Sequence, residues 1–150
     1  MVSIGNYSQL LALFFSLAAI ALLLAGIMKN DFRLILSGRR ALVTIAFFTT
    51  TASIALVYLF LTNNFQVEYV ASYSDRALPL FYKITAFWAG QKGSLLFWAW
   101  VLSLFSAIVA YNTRKEIDSK ATPFIYTVLA ATMVFFIALI TFVTNPFDLL

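Results

Sequence analysis

The chain has 150 residues, 63% of them hydrophobic and only 11% charged, with ten Lys/Arg against six Asp/Glu and a formal net charge of +4. Soluble domains carry about 25% charged residues, so a mean hydropathy of +0.93 excludes an ordinary soluble fold. Cysteine and histidine are both absent, which removes disulfides, thiolate metal sites and all imidazole chemistry from this chain.

Four stretches run long without charge: Ile4–Met28, Ala41–Leu61, Ser94–Tyr111 and Ala121–Val143. A membrane-spanning helix needs roughly 17–25 apolar residues. Proline is absent from the first three, and Pro123 falls near the start of the fourth, where a helix tolerates it. A soluble bundle would need polar outer faces, and these runs have none. The expected fold is all-α: a polytopic integral membrane protein with four transmembrane helices, at about residues 4–28, 41–61, 94–111 and 122–143, forming one membrane domain over 1–150. Small residues recur at Ala18, Ala21 and Ala25 and at Thr44, Thr51 and Ala55, the kind of stripe that permits close helix contact in lipid. Any polytopic protein shows such stripes.

The first connection holds Lys29, Asp31, Arg33, Arg39 and Arg40, and the third holds Arg114, Lys115, Glu116, Asp118 and Lys120. The excess of Lys and Arg places both on the cytoplasmic side. The N-terminus, the 63–93 segment and the C-terminal Asn145-Pro146-Phe147-Asp148 then lie outside. No Lys or Arg precedes Met28, so the first run is a retained span and not a signal peptide. The cations are dispersed, with no dense basic run to hold nucleic acid.

The connection between the second and third spans is the distinctive part of the chain. Connections longer than about 15 residues are functional or disordered, and this one is too aromatic for disorder. Phe65–Tyr73 opens with an alternating apolar/polar pattern that predicts a short extended stretch. Ser74-Asp75 is placed to cap a helix from Arg76 to Gly90, with Pro79 in its first turn. On such a helix Ala77, Leu80, Phe81, Ile84, Phe87 and Trp88 share one face, while Arg76, Lys83 and Gly90 share the other. This predicts an amphipathic helix lying along the interface. Gly90 and Gly93 bracket a tight turn, Ser94 is placed to cap the third span, and Trp98 and Trp100 fall in the aromatic belt. The residues allow an ordinary interfacial helix, or a platform for a flat, apolar, anionic ligand or a partner domain.

The same segment resembles a known family. The pattern Tyr69-Val70-Ala71, Ser74, Leu78-Pro79, Tyr82-Lys83, Ala86, Trp88, Gly93-Ser94-Leu95-Leu96, Trp98 is similar to the early periplasmic segment of the CcmF/NrfE haem lyase family of cytochrome c maturation. Ala89 departs where the family has Gly, and Asn145-Pro146-Phe147 matches again. Outside Phe65–Trp98 the resemblance rests on helix number and spacing.

The resemblance implies a membrane subunit that helps transfer haem and attach it covalently to apocytochrome c, on the outer face of a bacterial cytoplasmic or an organellar inner membrane. Haem is the implied cofactor of the assembled lyase, without ligation by this chain. The implied partners are the remainder of the lyase, a haem chaperone, apocytochrome c and its thiol-handling subunits, besides membrane lipid. The implied partner-binding motif is Tyr69, Pro79, Tyr82, Lys83, Trp88, Gly93, Ser94 and Trp98. Candidates to touch haem are Arg76, Lys83, Trp88 and Trp98, with no catalytic and no metal-ligating residue. The family's Trp-rich motif and histidine ligands have no counterpart here, so the chain reads as the N-terminal part of a longer or split lyase. The alternative is a small four-helix subunit of a transporter or respiratory complex with no haem role.

Overall fold

The computed structural model describes residues 1–116 and 119–150. Asp118, counted above with the third connection, lies outside the described residues. Four helices are long and apolar enough to cross a membrane: α1 (Val2–Lys29), α2 (Phe32–Leu61), α5 (Gln91–Asn112) and α6 (Ala121–Phe142). Two short helices, α3 (Glu68–Tyr73) and α4 (Leu80–Thr85), and a 3₁₀ turn at Ala86–Trp88 lie between α2 and α5. They form a cap over one end of the bundle.

The first connection is not a loop. Asn30 ends α1 in the left-handed region at φ 51°, and the Asp31 carboxylate accepts the Arg33 N–H at 2.9 Å to cap α2. Helix α2 therefore begins at Phe32 and not near residue 41, and Arg33, Arg39 and Arg40 ride on it. Nothing between Phe32 and Arg40 breaks a helix except Gly38, which a helix tolerates. Arg39 donates from Nε to the Ala110 carbonyl at 2.8 Å. It thus satisfies an orphan carbonyl at the end of α5, where the helix dipole favours a cation.

The four long helices form a ring in which α1 touches α2 and α6, and α5 touches α2 and α6. Lipid tails are as apolar as leucine, so close approach and hydrogen bonds must hold the helices together. The buried stripe of α1 is Gly5, Gln9, Ala12, Ser16, Ala19, Leu23 and Gly26. It runs one residue away from the expected Ala18/Ala21/Ala25 stripe, and Ala21 is exposed. On α2, Ala55 is buried, but Thr44 and Thr51 are only partly so and bond back to Arg40 and Phe47 carbonyls. The polar contact with α5 comes instead from Thr49, whose hydroxyl meets that of Ser103 at 2.6 Å, and from Thr50, which accepts Trp100 Nε1–H at 2.9 Å. Such bonds contribute about 0.6–2 kcal/mol each in membranes.

The cap departs from the expected pattern in two places. Only Val67 of the 65–73 stretch is extended, bridged to Leu149, with Glu68 N–H to Asp148 O and Leu150 N–H to Gln66 O flanking it, each at 2.9 Å. From Glu68 the chain turns helical, which sets Tyr69 and Tyr73 one turn apart with ring centroids 4.8 Å from each other. The single 76–90 helix is also absent. Asp75 accepts the Ala77 N–H at 2.9 Å and the Leu78 N–H at its carbonyl, closing a turn. Pro79 then keeps its predecessor out of the helical region, so the helix starts only at Leu80. It tightens at Ala86 and ends at Gly90, which is extended at φ −113°.

Candidate functional site: the aromatic cap

Tyr69 organises the cap. Its hydroxyl accepts the Gly90 N–H at 2.9 Å and faces the carbonyls of Phe87 at 3.0 Å and Ala86 at 3.1 Å as its acceptors. One buried phenol thus pins the junction between the 3₁₀ turn and α5. Its ring packs edge-on to Phe60 at 5.5 Å, tying the cap to the end of α2. Burial pushes the Tyr69 hydroxyl above the ordinary tyrosine range, so it stays a neutral donor.

Gly93 makes that junction possible. A Cβ at Gly93 would overlap both the Phe87 carbonyl oxygen and the Tyr69 hydroxyl. Ser94 is not the helix cap that its sequence position predicts. Helix α5 starts at Gln91, with Gly90 as its cap, so Ser94 already lies inside the first turn. Its hydroxyl donates back to the Trp88 carbonyl at 2.7 Å. Gly93 and Ser94 therefore both grip the turn that precedes them, one by close approach and one by a hydrogen bond.

The two proposed cations part company. Arg76 sits in the turn before α4, exposed, with its guanidinium carbon 5.9 Å from the Phe65 ring centroid. Lys83 is on α4 and only 9% exposed, whereas Leu80, Phe81, Tyr82 and Ile84 around it are exposed. Leu80, Phe81, Ile84 and Trp88 stay on the outward face as expected, but Lys83 turns inward, and with Arg76 outside α4 the two cations share no helix face. The reason is the surroundings: at the edge of a bilayer the outward direction is apolar, so the apolar side turns out. Pro79 precedes α4 as its cap residue, Tyr82 and Trp88 point outward, and Trp98 is exposed on the flank of α5. Trp88 and Trp98 are not brought together with Lys83 in one site; Trp88 instead packs on Phe97 at 5.4 Å, and Phe97 on Trp100 at 6.0 Å.

Sequence reasoning gave no structural role to three contributors. Lys92 pairs with Glu68 at 3.4 Å and with Asp148 at 3.5 Å, joining α5, α3 and the C-terminal segment. Asn145 donates to Asn6 at 2.9 Å. Phe147 is buried against Gly5, where a Cβ would overlap its ring. Only the matching Asn145-Pro146-Phe147 motif hinted at this second anchor. Among the described residues no cluster of three metal-ligating side chains comes together. What the cap offers is surface: a pinned aromatic roof with an apolar outer face and one exposed cation.

This architecture defines a polytopic, all-helical membrane protein whose long second connection is a structured cap. The chain is homologous to the CcmF/NrfE cytochrome c-type biogenesis proteins over almost its whole length. It is 32% identical over 144 residues to the cytochrome c-type biogenesis protein CcmF of Haemophilus influenzae, covering 96% of this chain and 22% of the relative. It is 40% identical over 99 residues to the cytochrome c-type biogenesis protein NrfE of the same organism, covering 65% of this chain and 15% of that one. The solved structure of a cytochrome c haem lyase CcmF superposes with a TM-score of 0.90 at 28% identity, covering 98% of this chain and 24% of the other. No protein-family model matches the chain. The chain thus spans 22% of the length of the first of these relatives.

Proposed function

We propose that the chain is the N-terminal membrane scaffold of a cytochrome c haem lyase, whose cap forms part of the platform where haem meets apocytochrome c. The observation that carries this reading is the breadth of the similarity. It covers the four spans and the cap together, at 98% of the chain in the superposition. The chain's own side chains do no bond-making in this reading: with no His and no Cys it supplies neither an axial imidazole nor a thiol. Its part is to hold a surface in place. The exposed face of Leu80, Phe81, Tyr82 and Trp88 is the platform, and the remainder of the lyase is its first partner. The haem chaperone, apocytochrome c and its thiol-handling subunits act on the assembled complex.

The cap lies on the outer side of the membrane in this proposal, with both termini outside. The support is the set of cations at the opposite end, Lys29, Arg33, Arg39, Arg40, Arg114, Lys115 and Lys120. Cysteine introduced at Ser72 should react with an impermeant thiol reagent in intact cells, while cysteine at Ser37 or Ser119 should not. The reverse pattern overturns the topology. The function is tested by tagging the chain, purifying it in mild detergent, and probing for the remaining lyase and haem. The expected result is a haem-containing complex that Phe81→Glu disrupts while cytochrome c yield falls. Deletion of the chain with cytochrome c yield unchanged overturns the reading.

A further inference from the structure

A hollow of about 360 Å³ lies at the end of the bundle opposite the cap, where the end of α1, the start of α2 and the start of α6 meet. Helix α1 runs toward it and α6 runs away from it, and both arrange their lining residues in the same order. Asn30, Ser119 and Lys120 form the rim, and all three are exposed. Gly26 and Ile27 on α1, and Pro123 and Phe124 on α6, lie three or four residues deeper. At 1.5 Å per residue that is about 5–6 Å, one helical turn. Phe32 and Ile35 of α2 make an apolar third wall. A single hollow thus passes from polar rim to apolar floor in the direction in which a bilayer passes from headgroup to chain.

The gap has a local cause. Helices α1 and α2 are joined by Asn30 and Asp31 alone, and they meet so closely that a Cβ on Gly26 would overlap the Ile35 side chain. Helix α6 enters beside them only after α5, and no short turn draws it in.

Charge and size narrow the occupant. The first and third connections carry seven Lys/Arg against three Asp/Glu. None of the described residues lining the hollow is acidic. Among the described residues no carboxylate lies within ion-pair distance of Lys120, and Asp31 beside the rim is engaged by the Arg33 N–H. The rim therefore offers an ammonium, a carboxamide and a hydroxyl, each able to donate to a phosphate oxygen. A partner helix, about 10 Å across with its side chains, is too wide for a hollow one turn deep. Basic pockets between membrane helices suit anionic lipid headgroups.

We propose that this hollow binds the head and glycerol end of one anionic phospholipid, with its phosphate at Lys120, Asn30 and Ser119 and the start of an acyl chain against Ile27, Phe32 and Phe124. The site is independent of the haem-lyase reading: it requires only the membrane fold. The bound lipid would fasten the α1–α2 turn to the start of α6, so it should stabilise the folded bundle.

The test follows the thermal midpoint of the full chain in maltoside detergent as dioctanoyl phosphatidylglycerol or dioctanoyl phosphatidylcholine is titrated in. The second lipid carries the same phosphate with a compensating cation. Phosphatidylglycerol should give the same rise at a concentration at least about fivefold lower, the increment of one near-surface cation. Lys120→Gln should erase that preference, and Lys120→Arg should keep it. Arg114→Gln should leave it intact, because that guanidinium is committed to the Tyr111 ring and carbonyl and does not line the hollow. Asn30→Gly suits the left-handed φ of 51° and should weaken both lipids, which share the phosphate. Ile27→Trp should fill the floor and weaken both as well. Soluble glycerol phosphate should give no rise, having no chain to bury. Equal rises from the two lipids in the parent protein, or a preference that survives Lys120→Gln, overturn the proposal. So does an equal loss of preference in Arg114→Gln, which would mark diffuse attraction to the whole cationic end. A matching rise with glycerol phosphate overturns the lipid in favour of a soluble anion, and binding insensitive to Ile27→Trp overturns the apolar floor. The lipid-free midpoint of each variant, read in the same melts, separates lost binding from lost folding.

Discussion

Removing one oxygen atom from Tyr69 should loosen the cap without disturbing the bundle. In Tyr69→Phe the ring keeps its contacts with Phe60 and Tyr73, at 5.5 and 4.8 Å between centroids. The Gly90 N–H loses its acceptor at 2.9 Å, and the Phe87 and Ala86 carbonyls lose their shared donor. Leaving a buried donor unsatisfied costs about 1–3 kcal/mol, which multiplies the population of locally opened cap roughly 5- to 150-fold. Helices α1 and α6 share no part of this network, so their opening should be unchanged. Hydrogen–deuterium exchange in detergent, resolved over residues 86–96 and over α1, measures both quantities at once. The Gly90 and Ser94 amides should exchange faster, the latter because its hydrogen bond to the Gly90 carbonyl depends on the same junction. Tyr69→Ala adds the loss of a buried ring, about 3–5 kcal/mol more, and should unlatch the cap altogether. Unchanged exchange at Gly90 in Tyr69→Phe, or an equal loss of protection throughout α1, would refute the view of Tyr69 as a local pin.

Three further outcomes follow from the same geometry. Gly93→Val should cost at least the 1–3 kcal/mol of an overpacked site and lower cytochrome c yield, because its side chain meets the Phe87 carbonyl, whereas Ser72→Ala should stay within about 0.5 kcal/mol; equal yields from both would contradict this. Gln9 is 2% exposed, and neither of its amide atoms has a partner among the described residues, so Gln9→Met should raise the thermal midpoint in detergent, by up to about 1–3 kcal/mol of stability; a lowered midpoint would show that the amide is engaged. Because the folded-state pKa of Tyr69 is raised, its contribution is fully present below the unfolded value of about 10 and is lost as pH climbs through the folded one. Cap exchange should therefore accelerate steeply in strong alkali, and Tyr69→Phe should remove that step.

Much of the fold was legible in the residues. Four charge-free runs of spanning length leave the backbone no choice in lipid but to bond to itself as helix, and that logic survives any error in loop detail. The aromatic segment from Phe65 to Trp98 also announced itself, through its composition and the motif around Gly93-Ser94. Local signals misled where they were weak or shared. Alternation in Phe65–Tyr73 suits a strand, yet six residues of it are helical because that turn brings Tyr69 and Tyr73 together. Ser94 looked like a cap because it stands just ahead of an apolar run, but Gly90 starts the helix and Ser94 reaches backward.

Composition and periodicity alone settle the class of protein, the number of spans and the place where something other than spanning happens, because each depends on neighbours in sequence. Tertiary structure alone decides which side of α4 faces the protein, where Lys92 finds its two acids, and that a phenol 21 residues away holds the Gly90 amide. Those choices depend on what lies across the gap between elements. In a membrane they can also invert the usual rule: with lipid outside, the apolar face of α4 turns outward and Lys83 turns in.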